Sequence, residues 1–533
     1  DTSLTHSVNA NLTRLQGNHN LKFGTDVRVY RGFHNRFPQA AAPDFSFSNT
    51  YTRGPLHDSP GAPIGQEMAA FVLGVPGGSM QRSASWALQE KYFGIYLHDD
   101  FKVTSKLTLN LGVRYELETP LTERFDRLVA GFAYDQSNPI EAQAKANYAL
   151  NPIPEIPVDQ FRVLGGLTYV STGGIGRSPY KGEKNNIQPR IGFAYQLFPK
   201  TILRGGYGIF HDTLGVNSNV GIQTGFSQST PIQASLDNGL TYFATMANPL
   251  PNGMIEPLGA AGGLLTNIGQ GLTFYDYNIL QPYAQRWSFG IQQLLPGQFM
   301  LESTYVGNRG TRLGVTRNIN ATPAQYLSTS PTRDQETISY LAQTFPNPFY
   351  GIDPIFGQRI SRANLLRPYP QFGDINVEEP IGYSIYHSMQ NRIERRFSQG
   401  FTLQIAYTWS KLMEATSFLN PTDPLPYYVI GNFDRTHRTA GSGIWEVPVG
   451  RGRKWGNSLP GVLEGILGGW QVSGMYQNQS GPPLGFGNII FNGNLKDIVL
   501  PKDQRSAERW INIDAGFNRV SSQQLGSNIR TFP

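Results

Sequence analysis

The sequence predicts an all-β fold, an antiparallel transmembrane β-barrel with long extracellular loops, and two observations support this prediction. The first is the length of the strands. In the segment 106–120, KLTLNLGVRYELETP, apolar side chains occupy every odd position from Leu107 to Leu117, and the even positions between them carry Thr, Asn, Gly, Arg and Glu. Ten steps of roughly 3.3 Å, tilted by about 40°, rise roughly 25 Å, the height of the apolar band on an outer-membrane barrel. For this segment alone, a long strand of a soluble β-sandwich or solenoid is the alternative.

The second observation is that the connections are sorted by length. Alternating segments come in pairs joined by short turns: 7–15 with 20–31, 91–103 with 106–117, 185–197 with 201–212, 286–294 with 299–310, 387–397 with 401–411, and a looser pair near 438–448 and 469–479. The connections between pairs are long: 32–90, 119–184, 213–285, 311–386 and 412–433. Membrane barrels have short periplasmic turns and long extracellular loops, whereas a soluble sandwich has no reason to sort its loops this way. We therefore expect about 12 to 14 membrane-spanning strands.

Aromatic residues lie late in the strands that run towards the long loops, in phase with the apolar positions. They are Tyr115, Tyr207, Tyr305, Tyr407 and Trp409. This placement is typical of the aromatic girdle at a membrane interface. Within the fourth long connection, the spacing of apolar residues over 332–345 predicts a short helix.

The composition excludes several classes of protein. The 533 residues contain no cysteine, so disulfide frameworks, thiolate zinc sites and cysteine nucleophiles are excluded. No run of 18 apolar residues occurs, so no transmembrane helix is predicted. The 44 Lys and Arg and the 38 Asp and Glu are interspersed along the chain, which argues against a nucleic-acid partner.

Six segments in order resemble one family. They are HDDFKVTSKLTLNLGVRYE, PRIGFAYQLFPKTILRGGYGIFHD, LESTYVGNRGTRL, RRFSQGFTLQIAYTWSK, NFDRTHRTAGSGIWEVPVGRGRKW and ILGGWQVSGMYQNQSGPPL. Together they resemble TonB-dependent outer-membrane receptors of the Oar-like class, which often carry an N-terminal carboxypeptidase-regulatory-like domain. The resemblance implies a plugged barrel of about 22 strands. We therefore expect residues 1–533 to be an internal fragment holding only the barrel domain, without the plug, the regulatory domain and the closing strands.

The resemblance also implies a function and partners. It implies binding and import of a bulky nutrient, such as a glycan, a peptide or a metal chelate, into the periplasm. The expected partners are outer-membrane lipid, the TonB complex through the N-terminal region, and an extracellular ligand that the sequence does not identify. The alternative is a surface adhesion or assembly platform displayed on a barrel without transport, and a passive porin is a less favoured third.

Candidate site residues follow from the strand alternation and from one polar motif. Inward positions predict a lumen of mixed charge, suited to a polar plug, at Arg114, Glu116, Arg190, Arg204, Arg392 and Glu394. The motif NFDRTHR predicts a charge network at the barrel rim from Asp434, Arg435, His437 and Arg438, either contacting a plug or ligand or forming a structural ion-pair network. No nucleophile has a convincing partner, so we expect neither an enzyme nor a cofactor. Adjacent His and Asp residues, as in His98–Asp99–Asp100, point to opposite faces of a strand and predict no metal site.

Overall fold

Twelve long strands form one antiparallel sheet and follow one another in chain order. The computed structural model describes residues 2–34, 42–54, 60–62, 64–215, 222–235, 241–330, 332–398, 400–487, 489–520 and 523–524. The strands are β1 Thr2–Gln16, β2 His19–His34, β3 Trp86–Lys102, β4 Leu107–Glu118, β5 Asn186–Phe198, β6 Thr201–His211, β7 Tyr283–Leu294, β8 Phe299–Asn318, β9 Ile375–Ser398, β10 Phe401–Ala415, β11 His437–Glu446 and β12 Gln471–Gln479. The predicted all-β antiparallel architecture is confirmed. Within the described residues, β1 and β12 are the two ends of this path and the sheet stays open.

The strand alternation separates an apolar outer face from a polar inner face. On β4, Leu111 is 39% exposed and lies in register with Ile191 of β5, which is 56% exposed. The same outer positions on later strands also carry exposed apolar side chains, such as Phe289 on β7 and Ile405 on β10. Apolar side chains that remain exposed at this density in long strands require an apolar solvent, so the outer face is the lipid side. We call this side the outer face and the opposite side the inner face.

The aromatic residues of the predicted girdle lie on the outer face. Tyr207, Tyr305, Tyr407 and Trp409 are all exposed there. Several also make polar contacts across strands: Trp287 Nε1 donates to Tyr305 Oη at 3.4 Å, and His387 Nδ1 lies 2.7 Å from the same oxygen. Rings with a wet polar edge and an apolar body suit the boundary between lipid and water.

Two strands continue well beyond the boundaries that the alternation predicted. β8 was expected to end at Gly310 and reaches Asn318, and β9 was expected to begin at His387 and begins at Ile375. Register shifts occur between Thr311 and Leu313 and again between Leu313 and Val315. Each bulge breaks the period of two, and above the bilayer the outer side chains no longer have to be apolar, so the pattern in the sequence ends before the strand does.

Shorter elements lie in the connections. The short strands are Asp44–Ser46, Gly77–Arg82, Thr122–Glu123, Val129–Phe132, Leu167–Tyr169, Gln228–Pro231, Leu272–Tyr275, Thr344–Pro346, Arg359–Ser361 and Val429–Ile430. The α-helices are α1 Gln66–Val72, α2 Glu141–Tyr148, α3 Gln335–Ala342, α4 Arg362–Leu365 and α5 Gly461–Leu467. The 3₁₀ turns are Asn49–Tyr51, Gly259–Leu265, Pro296–Gln298, Ala324–Tyr326, Leu495–Ile498 and Lys502–Gln504. The helix expected within 332–345 is present as α3. None of the helices in the described part of the chain has the length and apolar character needed to cross a membrane.

Three of the long connections pack against one another into one ordered body, which we call the loop cap: the described residues of 119–185, 212–282 and 319–374. Its first core joins α2 to α3 and α4, and includes fully buried Phe161 and Phe349. Its second core gathers side chains from all three connections, and the short strand Leu272–Tyr275 pairs in parallel with the upper part of β9. The third core fastens the cap to the sheet at Leu88 of β3. The buried apolar side chains hold these long loops in one arrangement.

Candidate functional site

The inner face of the first four strands carries a continuous network of charged and phenolic groups. Asp26 on β2 accepts from Arg28 Nε at 2.9 Å, and its Oδ2 lies 3.6 Å from Arg114 Nη2 on β4. Arg114 also donates to Glu116 Oε1 at 2.5 Å and to Tyr92 Oη at 2.7 Å. Asp26 and Tyr92 are each 7% exposed. Buried charges need partners, and here every charge in the network has one.

A second network lies nearer the short turns. Asp100 on β3 accepts from Lys22 at 2.9 Å, from Asn110 at 2.6 Å and lies 2.8 Å from His98 Nε2. Asp99 turns to the outer face, since neighbours in a strand alternate. The hydrogen bonds from the Lys22 ammonium and the Asn110 amide provide the Asp100 carboxylate with the donors that it needs. In the described residues no group of three or more His, Asp and Glu side chains is placed to hold a metal ion.

The six sequence-predicted lumen residues all lie on the inner face, but they have different surroundings. Arg114 and Glu116 belong to the network above, and Arg392 donates to Glu394 on the same strand. Arg190 stacks over the ring of Phe210, with 4.6 Å from its guanidinium carbon to the ring centroid. Arg204 is exposed opposite Ala194 and Gly290. Contact with a plug stays a prediction for all six.

Asp434 of the predicted rim cluster is the buried member of that motif. It is 4% exposed, and it accepts from the backbone N–H of Leu412 at 2.7 Å and from Thr436 Oγ1 at 3.0 Å. Its nearest cation is Lys411 Nζ at 3.6 Å, on the neighbouring strand β10. Asp434 therefore fastens the connection between β10 and β11 to the end of β10.

The other three members of the motif point elsewhere. The Arg435 guanidinium donates to the backbone carbonyl of Asp434 at 2.7 Å, and His437 Nδ1 lies 2.9 Å from Tyr407 Oη on the outer face. Arg438 is exposed on the inner face, because it follows His437 directly in β11. The expectation of one charge network at the rim is thus corrected: within the described residues these four side chains form no ion pair with one another.

Two buried acidic side chains that no sequence pattern singled out hold the loop cap to the strand ends. Glu118, at the end of β4, accepts from the backbone N–H of Gly215 at 2.8 Å and of Leu214 at 3.1 Å. Glu123 is fully buried and accepts from three backbone N–H groups at 2.7–3.0 Å. Their position at or just after the end of β4 is the only signal that the sequence offers, because the strand ends and loop segments that they join, Ala87 for Glu123 and Leu214 and Gly215 for Glu118, are distant in the chain.

A cavity of about 540 Å³ opens within the loop cap. Side-chain amides line one part of it, and apolar side chains with two carboxylates line the rest: Gln228, Gln233, Asn267 and Gln270, then Leu258, Ile268, Ile355, Glu256 and Asp353. The volume lies in the range of small-molecule sites, roughly 300–1,000 Å³. Such a lining can hold a ligand with both hydroxyl or amide groups and apolar surface.

Buried phenols lie beneath this cavity and in the core that fastens the cap. Tyr169 Oη donates to the carbonyl of Thr224 at 3.2 Å, and Tyr180 Oη accepts from the N–H of Leu121 at 3.3 Å. Burial raises the pKa of both phenols above the ordinary value, and for Tyr180 the carboxyls of Glu118 and Glu90 add to the effect. Both groups are neutral at physiological pH, as buried packing groups should be.

Residues 1–528 match the protein family described as outer membrane beta barrel domain. No curated protein matches the sequence. Similar solved structures include the FrpB iron transporter from Neisseria meningitidis (F3-3 variant), at 11% identity and a TM-score of 0.34, with 84% of this chain and 40% of that chain covered. The ferric-catecholate import receptor Fiu from E. coli K12 has 9% identity and a TM-score of 0.33, with 84% and 42% covered. The siderophore receptor PiuA from Acinetobacter baumannii has 8% identity and a TM-score of 0.35, with 83% and 44% covered. The chain spans less than half the length of these three structures.

Proposed function

The chain belongs to the outer membrane β-barrel domain family and therefore lies in a bacterial outer membrane, and from this premise we propose that it is the barrel domain of a TonB-dependent receptor that binds a bulky nutrient and imports it. The loop cap is the observation that carries the proposal. Three long connections share buried cores and hold one arrangement over the end of the sheet. A passive pore needs an open mouth, whereas a receptor needs an ordered surface built from loops.

The cavity in the loop cap is the proposed ligand-binding site. Amides such as Gln228 and Asn267 can donate and accept at once, and Leu258 and Ile355 offer apolar contact. A glycan, a peptide or a metal chelate with an organic shell presents the matching combination of groups. Import of this kind requires no catalytic residue and no cofactor.

Energy for import would come from the TonB complex, as in the Oar-like class that the sequence resembles. The polar inner face supports a lumen filled by a polar plug, because charged groups on its first four strands are held in fixed positions by their partners. Contact with the TonB complex belongs to the whole protein and is part of the proposal.

Uptake measurements test this function. Cells with and without the gene are given fluorescent oligosaccharides, peptides and iron chelates, and uptake is compared with and without a protonophore and with and without TonB. We expect one class to enter only with the gene, the proton gradient and TonB, while surface binding persists without the gradient. Uptake at an unchanged rate without the gradient would instead indicate a passive pore.

A pair of variants tests the cavity. Gln270→Trp places a large ring among the lining residues, and we expect it to abolish binding of the imported class. Leu150→Trp is the matched control, because Leu150 is 78% exposed on the loop cap and does not line the cavity. Equal binding by the two variants would remove the cavity from the proposal.

A second candidate, a surface adhesion platform without transport, is favoured by one feature of the first extracellular connection. Helix α1 and its flanks expose apolar side chains: Ile64, Met68, Phe71, Val72 and Leu73. Exposed apolar patches of this kind mark interaction surfaces. If cells import none of the probes but lose adhesion after Met68→Ser and Phe71→Ser, the platform is the better description.

A further inference from the structure

Three arginines on the inner face of β5, β6 and β7 have no carboxylate partner among the described residues, unlike the arginines on the inner face of β2, β4 and β9. Arg190, Arg204 and Arg286 are all exposed, and none of them forms an ion pair with a described residue. By contrast Arg28, Arg114 and Arg392 are each paired with a carboxylate: Asp26, Glu116 and Glu394 respectively. We call the three unpaired residues the arginine site.

Strand register brings two of these arginines to one ring. Arg190 and Arg286 lie directly opposite Gly208 from its two sides. Their guanidinium carbons are 4.6 Å and 5.6 Å from the centroid of Phe210. Stacking on a ring fixes the guanidinium planes. Arg190 Nη2 donates a long hydrogen bond to Gln188 Oε1 at 3.4 Å, and the remaining N–H groups can donate to a ligand.

Gly208 leaves room for this arrangement. A Cβ at that position would lie 3.0 Å from the Phe210 ring, closer than side chains normally approach. A Cβ there would require the Phe210 ring, which lies between Arg190 and Arg286, to shift by a few tenths of an ångström. The glycine therefore keeps the ring where both arginines can stack on it.

The inner face next to these arginines carries only small side chains and no carboxylates. The adjacent row of the inner face is Gly192, Gly206 and Ser288, so no long side chain stands in front of the guanidinium groups. Every inner-face position of these three strands is uncharged apart from the arginine site itself. Arg190 and Arg286 are cations held against one ring, and an anion bound to both would relieve the repulsion between them.

From these observations we propose that Arg190 and Arg286, with Arg204 further along β6 on the same inner face, form an anion-binding site on the inner wall, which holds a carboxylate or phosphate group of the imported solute. The inference rests on the proposed function and adds the substrate class, namely an anionic solute. Arginine suits this task because its planar N–H pairs match both oxyanions in a bidentate manner. The Phe210 ring presents two of the guanidinium groups in a fixed position.

Binding of citrate and of inorganic phosphate to the purified protein in detergent micelles tests the proposal. Isothermal titration calorimetry at low ionic strength should show citrate binding that weakens as salt is added. We expect Arg190→Gln with Arg286→Gln to weaken it at least tenfold, since two charge-assisted contacts are lost. Arg204→Gln should weaken it less, and Phe210→Leu should weaken it although no charge changes.

Two controls separate site binding from general charge effects. Arg309→Gln removes the same charge from the neighbouring strand β8, at a position on the outer face in register with Gln285, and should leave citrate binding unchanged. Circular dichroism and heat-modifiable migration in gels check that each variant folds. Arg286→Lys keeps the charge without the planar fork and should bind citrate with intermediate strength.

The outcomes distinguish this inference from the proposed function. Equal citrate binding by the wild type and the double variant, or no binding of either probe at millimolar concentration, overturns the anion site. Citrate binding without any gradient-dependent uptake would retain the site and refute import. Import of neutral solutes only, in a protein that binds neither anion, would retain import and refute the site. Citrate could also bind this chain alone but be excluded once a polypeptide segment fills the lumen. In that case the arginine site binds a carboxylate of that segment, and the proposal that it binds the imported solute is overturned.

Discussion

Asp26 and Arg114 are joined across a strand to which neither belongs. Asp26 Oδ2 on β2 lies 3.6 Å from Arg114 Nη2 on β4, and β3 passes between them at Gly94. A Cβ at Gly94 would come within 2.7 Å of that same Nη2. The absence of a side chain on the intervening strand therefore allows the charges of two non-adjacent strands to meet.

Gly94→Ala should destabilise the protein by about 1–3 kcal/mol, because Arg114 has to move away from Asp26 and two largely buried charges lose part of their pairing. Guanidinium titration of protein refolded into lipid vesicles measures the change. The matched control is Gly192→Ala, where the nearest atom to the new Cβ is 3.5 Å away, and we expect a change below about 0.5 kcal/mol. Equal losses in the two variants would show that Gly94 has no such role.

Ile405→Arg and Gln404→Arg should differ strongly, although the residues are neighbours in β10. Ile405 lies on the outer face in register with Ile393 and Gly441, and an arginine facing lipid costs roughly 2–4 kcal/mol at the bilayer midplane. Gln404 is exposed on the inner face, so the same change should cost less than about 0.5 kcal/mol. The same vesicle titration applies, and a larger loss at Gln404 would mean that the two faces are reversed.

Glu123→Ala should loosen the loop cap without unfolding the sheet. The fully buried carboxylate accepts three backbone N–H groups, and an unsatisfied buried donor costs about 1–3 kcal/mol. Hydrogen exchange should speed up in residues 120–130 and stay slow in β8 and β9. Glu336→Ala, at an exposed position of α3, is the control, and equal exchange in both variants would contradict the anchoring role.

Alkaline pH should open the loop cap. The pKa of Tyr169 and that of Tyr180 are raised in the folded state by burial, so the unfolded cap releases these protons first, near pH 10. Stability is therefore complete below about pH 10 and falls as the pH rises through that value towards the raised pKa values. Absorbance at 295 nm follows phenolate formation, and limited proteolysis follows opening. Tyr180→Phe should make the loss of stability with rising pH less steep. An identical dependence of stability on pH in that variant would show that the phenols do not cause the opening.

Local alternation was enough to predict which side chains share a face. Arg114, Arg204 and Arg392 could be assigned to the polar side and Leu111 to the apolar side because successive side chains in a strand point to opposite sides, whatever the strand pairs with. The fold class followed for the same reason. The upper ends of β8 and β9 could not be predicted, since bulges interrupt the period there.

The pairing of charges could not be predicted from the sequence, because it depends on the register between distant segments. Asp26 meets Arg114, 88 positions away, only because three strands are aligned and Gly94 has no side chain between them. Asp434 pairs with Lys411, whereas its neighbours in the motif point to other partners. The sequence alone determined which face of each strand meets lipid and which meets polar surroundings, since a period of two is a local property of the chain. The tertiary structure alone decided which inner-face arginines are paired and that the long loops form one cap, since ion pairs and buried cores require atoms from remote segments to come within a few ångströms of one another.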